Sequence, residues 1–227
     1  MQTQPTRFTL LPEGFHCDKH LQKVAHILLG EADIFIETGT NVGSTLQYVA
    51  RSYPEVSCFS CEPDAGAFAQ AQTNTRGQSN VRIFQEAAVT FLQRLTEQQP
   101  DCRKQRAVFW LDAHCYGHGW PLLTEVNFIA AQFEQTWILI DDCEVPGRPD
   151  FAFHDFPGEN CSINTIMRAL PSQQNYRLWQ PSYREHTSPY HPLTGWCLLA
   201  LGKSLESADH LLAKVPTGLI SENLSKF

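Results

Sequence analysis

The feature that most constrains this chain is an alternation. Short apolar runs of strand length recur between segments whose apolar residues fall at helical spacing. Asp33 to Glu37 is the first run, followed by Val56 to Cys61 and Val81 to Phe84. Ala107 to Leu111 and Trp137 to Ile140 are continuously apolar, as strands buried on both faces should be. Between the runs lie helix-like faces: Leu21, Val24, Ala25, Leu28 and Leu29; then Leu46, Val49 and Ala50; then an alanine-rich stretch from Asp64 to Asn74. Ala88, Phe91, Leu92 and Leu95 make the next face, and Leu122, Val126, Ile129 and Phe133 another. Ser162 caps a helix carrying Ile163, Ile166 and Leu170. Two last runs, Tyr176 to Trp179 and Trp196 to Leu201, have no helix between them. This order predicts an α/β fold: a doubly wound, seven-stranded, mostly parallel sheet with an antiparallel edge pair and helices on both faces.

The pattern predicts one domain over all 227 residues, with residues 1–31 as an N-terminal helical extension and 203–227 as a C-terminal tail. The extension could act as a lid or as the arm of a homodimer. Net charge is −7 and no Lys/Arg cluster occurs, so neither a nucleic acid nor an anionic membrane is an expected partner. No apolar run approaches the roughly 18–20 residues that span a bilayer. The first twenty residues lack the charged-then-apolar pattern of a secretory signal. The eight cysteines are dispersed, as small buried hydrophobes in a reducing compartment would be, and a cytoplasmic location is expected.

Ligands of an open α/β sheet bind beyond the carboxyl ends of its strands. After the first strand come Glu37, Gly39, Thr40, Asn41, Gly43 and Ser44. The glycine spacing is G-x-x-x-G, neither a dinucleotide fingerprint nor a P-loop, and a structural turn would also use it. After the second comes Glu62, about twenty residues further on, where a carboxylate can accept ribose hydroxyls. Glu86 and Ala87 follow the third. Asp112 and His114 follow the fourth, and Asp141 and Asp142 the fifth. Neighbouring parallel strands bring those three aspartates together. Converging carboxylates repel, and their pKa values rise unless a cation sits among them. A hard divalent ion, Mg²⁺ above all, is the natural one for Asp112, Asp141 and Asp142. Zinc at Asp112, His114, Cys115, His118 and Cys143 lacks the compact paired spacing of zinc sites.

Glu37-x-Gly39-x-x-x-Gly43 followed by Glu62 resembles the cofactor half of class I S-adenosylmethionine-dependent methyltransferases, whose fold is Rossmann-like. The resemblance runs from about Ala32 to Leu201 by element order. It implies that the loop of Glu37, Gly39, Thr40, Asn41, Gly43 and Ser44 lies under the methionine part of S-adenosyl-L-methionine. It implies Glu62 at the ribose, Glu86 and Ala87 near the adenine, and Asp112 beside the cofactor. Asp112 followed by the Asp141–Asp142 pair is similar to the metal site of divalent-metal-dependent O-methyltransferases, and the Asp112-to-Gly117 stretch is closest to their macrolide-sugar type.

That likeness implies methyl transfer to a hydroxyl of a small-molecule acceptor, with Mg²⁺ lowering the hydroxyl pKa. The catechol-type enzymes carry a lysine where Cys115 stands here. The base then falls to His114, acting with Asp112, or to His154 in the long irregular stretch from Asp142 to Cys161. Two other readings keep the fold: a metal-independent methyltransferase, and a cofactor-binding domain without catalysis. The aromatics Phe151, Phe153, Phe156, Tyr183 and Tyr190 either line an acceptor pocket or pin two irregular stretches to the body.

Overall fold

The structure, a computed structural model, describes residues 13–114, 120–156, 159–184 and 193–223. Five parallel strands form its centre: β1 (Ile34–Thr38), β2 (Ser57–Cys61), β3 (Val81–Phe84), β4 (Ala107–Leu111) and β5 (Gln135–Ile140). They lie in the order β3-β2-β1-β4-β5. The chain runs outward from β1 and then returns to its other flank as β4. The topological switch point therefore falls between β1 and β4.

A small hairpin, β6 (Asp155–Phe156) with β7 (Glu159–Asn160), stands apart from this sheet. Its arms are too short to leave a periodic trace in the sequence. Beyond β5 the main sheet continues through β9 (Cys197–Gly202), β8 (Tyr176–Pro181) and β10 (Ile220–Glu222), each antiparallel to its neighbours. The sheet thus has eight strands rather than the seven expected, and β10 rather than the β8–β9 pair forms the edge. Three residues with one strongly apolar side chain carry no readable period. A cross-strand ion pair holds them instead: Arg177 donates from Nε to Glu222 Oε1 at 2.6 Å and from Nη2 to Oε2 at 2.7 Å.

Successive strand side chains point to opposite faces. In β4, Val108 and Trp110 enter one apolar layer, and Ala107, Phe109 and Leu111 enter the other. The first layer is completed by α1 (Lys19–Leu29), α2 (Ser44–Ser52) and α7 (Ser204–Leu212). The second is completed by α4 (Ala88–Gln98), α5 (Leu122–Gln132) and α6 (Ile163–Ala169). α3 (Ala65–Asn74) buries only Ala67 and Ala71, which explains its weak apolar face. Double burial is why β4 and residues 137–140 of β5 read as unbroken apolar runs.

Side-chain caps start several helices. Asp18 accepts from the His20 and Leu21 N–H groups, Asp64 from Ala67 N–H at 2.9 Å, and Ser162 from Thr165 N–H at 3.4 Å. The register aligns Thr38 with Leu111, and Leu111 with Ile140. The loops after β1, β4 and β5 therefore begin at one height. Among the described residues no helix is long and apolar enough to cross a membrane. The seven cysteines described are free and buried.

Candidate functional site

The loop after β1 is held from beneath. Glu37 is buried and accepts a hydrogen bond from Ser60 Oγ at 2.5 Å. Ser60 Oγ also shares a short hydrogen bond with Thr40 Oγ1. Burial, with the Glu62 carboxylate nearby, pushes the Glu37 carboxyl up to about 8, against the pull of Ser60. Gly39 has φ +85°, and a Cβ there would lie 2.4 Å from the Asp112 carbonyl oxygen. Only glycine lets the β1 loop and the end of β4 approach this closely. The glycine predicted to serve a cofactor therefore also seats Asp112. Gly43 stands at the N-terminal cap of α2, and Ser44 opens that helix.

Glu62 closes the same loop. Its Oε2 accepts from Asn41 N–H at 2.8 Å and its Oε1 from Asp64 N–H at 2.9 Å. Each oxygen keeps a second lone pair for an incoming hydroxyl. Glu86 pairs through Oε1 with Arg94 at 2.8 Å, while its Oε2 is buried with no hydrogen-bond partner. Ala87 caps α4 beside it.

Across the switch point, Asp112, Asp141 and Asp142 converge with His114. His114 Nε2 lies 3.5 Å from Asp112 Oδ1 and 3.6 Å from Asp142 Oδ2. These residues line one cleft with Trp120 and His154. His154 is buried and stacked on Trp120, with centroids 5.2 Å apart and planes 9° from parallel. Its ring is 6.0 Å from that of His114. His114 thus stands in contact with two of the three carboxylates. Cys115 and His118, and Tyr190 of the second irregular stretch, lie outside the described residues. Phe151 is buried edge-on to Tyr183 at 5.7 Å, pinning the first irregular stretch to the body.

One site residue escapes the sequence reading. His16, in a short 3-10 turn (Phe15–Cys17) before α1, places Nε2 at 2.6 Å from Asp141 Oδ2 and 3.7 Å from Asp112 Oδ2. Nitrogen and carboxylate oxygens of His16, Asp112 and Asp141 all lie within 4.8 Å of one another. The turn precedes the first strand and no spacing links it to the aspartates, so no sequence signal singled it out.

The charges follow from this geometry. Burial and the Asp141 carboxylate push Asp112 well above the usual range, against the pull of His16. Burial and Asp141 likewise raise Asp142, to about 7. Burial would raise Asp141 too, but the His16 charge and hydrogen bond hold it below the usual value. Burial disfavours a charge on His16, yet Asp141, Asp112 and Asp142 together raise it to about 10. Burial lowers His114, leaving it a neutral acceptor at pH 7. The repulsion expected among three carboxylates is present, and one imidazolium relieves part of it.

No protein-family model and no curated protein matches this sequence. Solved structures do match. An O-methyltransferase from Bacillus cereus, in complex with SAH, is 13% identical over 81% of this chain and 80% of its own, with a TM-score of 0.58. The O-methyltransferase TomG from Streptomyces achromogenes, involved in tomaymycin synthesis and solved with SAM, is 15% identical over 81% and 79%, with a TM-score of 0.57. An rRNA methylase from Streptococcus thermophilus is 13% identical over 81% and 97%, with a TM-score of 0.50. At these identities the likeness is one of fold. The Rossmann-like α/β architecture expected from the sequence is the architecture observed.

Proposed function

We propose that this chain is an S-adenosyl-L-methionine-dependent O-methyltransferase, assisted by a divalent cation and acting on a hydroxyl of a small molecule. The observation that carries the reading is the contact across the switch point. The glycine loop after β1 packs directly on the backbone of Asp112, which stands with Asp141, Asp142 and His114. A cofactor loop and an acceptor site must touch in this way for methyl transfer.

The residues fit both groups. Glu86 Oε2, buried and without a hydrogen-bond partner, is an acceptor left over at the adenine end. Asp141 Oδ1 is likewise buried without a partner, beside two other carboxylates. Gly39, Thr40, Asn41, Gly43 and Ser44 would lie under the methionine part, Glu37 would hold that loop from below, and Glu62 would take the ribose. When bound, the cofactor supplies an electrophilic methyl group, and a divalent cation on Asp112, Asp141 and Asp142 would supply acidity to a hydroxyl. His114, neutral and in contact with Asp112 and Asp142, takes the acceptor's proton at Nε2. Asp112, 3.5 Å from that nitrogen, stabilises the imidazolium that forms. His154 and Trp120 form an aromatic wall beside it and exclude water from the acceptor. A small-molecule acceptor suits a net charge of −7 better than a nucleic acid does.

One observation favours a metal-independent variant of the same reading: His16 already supplies a positive charge to Asp141. Transfer of labelled methyl from S-adenosylmethionine to a panel of polyhydroxylated small molecules, with and without EDTA, tests both. EDTA-sensitive labelling supports the cation-assisted reaction and EDTA-insensitive labelling the metal-free one. Labelling of RNA instead would contradict the acceptor class.

A further inference from the structure

His16 reaches the acidic cluster at a conformational cost. Phe15, His16 and Cys17 have φ of 54°, 52° and 59°, three consecutive non-glycine residues in the left-handed region. Each costs of order 1 kcal/mol, so such a run persists only where the surroundings over-determine it.

The surroundings do so here. Phe15 N–H donates to Thr45 Oγ1 at 3.0 Å, in the first turn of α2. The Phe15 ring packs edge-on against Trp110 at 5.3 Å. Gln22 Nε2 donates to the Gly14 carbonyl at 2.9 Å, and a Cβ on Gly14 would come within 2.9 Å of Thr45 Cα. Asp18 ends the turn by capping α1. These anchors lie on the residues flanking His16, and each is made without the imidazole. Their joint effect is to deliver Nε2 between Asp141 and Asp112. Asp141 Oδ1, on the same carboxylate, is buried and has no hydrogen-bond partner.

We propose that His16 is a protein ligand of the divalent cation. With Asp112 and Asp141 it forms a one-nitrogen, two-oxygen site that takes a first-row transition ion such as Mn²⁺ in preference to Mg²⁺. The assignment rests on reading the carboxylates as a cation site, and it adds the N-terminal turn to that site. The chemistry follows from the donor set. Mg²⁺ favours all-oxygen octahedra and keeps its waters, whereas first-row transition ions, Mn²⁺ included, accept an imidazole nitrogen more readily. A strained turn built around a rigid nitrogen gives a fixed donor, unlike a lysine on a flexible stem.

The test is Mn²⁺ binding to the full chain, followed by electron paramagnetic resonance, with Mg²⁺ as competitor. Wild type is compared with His16→Asn, which suits left-handed backbone but offers no imidazole, and with His16→Ala. S-adenosylhomocysteine binding and thermal melting are measured on each. The expected result is Mn²⁺ bound at least about 10-fold more weakly by both variants, with Mg²⁺ affinity little changed. Electron spin echo modulation from an imidazole nitrogen should be present in wild type and lost in both. Unchanged or tighter Mn²⁺ binding in the variants would overturn the proposal and make His16 a counter-ion that a cation displaces. No Mn²⁺ binding to wild type would overturn it together with the cation site. Loss of S-adenosylhomocysteine binding in wild type alone would sink the methyltransferase reading and leave the His16 result standing.

Discussion

His16 Nε2 and Asp141 Oδ2 lie 2.6 Å apart although 125 positions separate them in the chain. The contact ties the turn before α1 to the carboxyl end of β5, over the switch point of the sheet. It makes the segment before the first strand part of the site rather than an appendage to it. The same turn rests on Thr45 of α2, next to the glycine loop. Both halves of the proposed site thus bear on the turn at Phe15 and His16.

Gly39→Ala should be among the most damaging single changes. Its Cβ would stand 2.4 Å from the Asp112 carbonyl, at φ +85°. A loss of about 2–4 kcal/mol is expected, from strain and from displacement of Asp112. Denaturant unfolding would read the first effect and cation titration the second. A variant of wild-type stability would show that the two loops are free to separate.

Asp141→Asn should separate the two proposed ligands. Cation affinity is expected to fall at least about 10-fold, because a buried carboxylate is lost from the donor set. S-adenosylhomocysteine affinity should stay within a few-fold, since Glu62 and the glycine loop are untouched. Calorimetry on one preparation measures both. Equal loss of the two would argue against a distinct cation role for Asp141.

Much of this was legible in the sequence because burial writes itself into composition. β4 and residues 137–140 of β5 are apolar throughout since both of their faces are covered, and the other three parallel strands could be read from their alternation with helical faces. The aspartates were legible because topology alone places Asp112 and Asp141 on adjacent strand ends. β10 was not, because three residues held by an Arg177–Glu222 pair leave no period. Nor was His16, because its position depends on a left-handed turn that no pattern of hydrophobic spacing encodes. The second duty of Gly39, against Asp112, is a tertiary contact and equally silent.

Two buried carboxyls give stability a pH dependence. Burial pushes Glu125 up to about 7, against the pull of the Thr38 hydroxyl, and Glu37 up to about 8. In the unfolded chain both titrate near 4.5. Between those values the native state binds more protons than the unfolded one, so stability falls as pH rises. The contribution is whole below about pH 4.5 and declines through pH 7 to 8. Glu125→Gln should flatten part of that slope and be the more stable protein at pH 8.5, by of order 2 kcal/mol. Urea midpoints from pH 5 to 9 would show it; parallel curves for the two proteins would mean that Glu125 is ionised in the native state.

Tyr183→Phe should loosen the start of α1. The Tyr183 hydroxyl donates to Asp18 Oδ2 and accepts from Trp196 Nε1 at 3.0 Å. Removing it leaves a buried indole N–H unpaired and costs about 1–3 kcal/mol. Hydrogen exchange of the α1 amides should quicken more than that of β4. Uniform change across the protein would argue that the hydroxyl stabilises the whole fold and not this junction.

The most direct measurement of the central claim is calorimetric titration of S-adenosylhomocysteine into the purified chain, with divalent cation and then with EDTA. The account predicts saturable one-to-one binding in both conditions, weakened at least about 10-fold when Glu62 is replaced by Ala, since ribose contacts are charge-assisted hydrogen bonds. Absence of binding in either condition would contradict the methyltransferase reading, and Asp112, His114 and His16 would then have to serve a different chemistry.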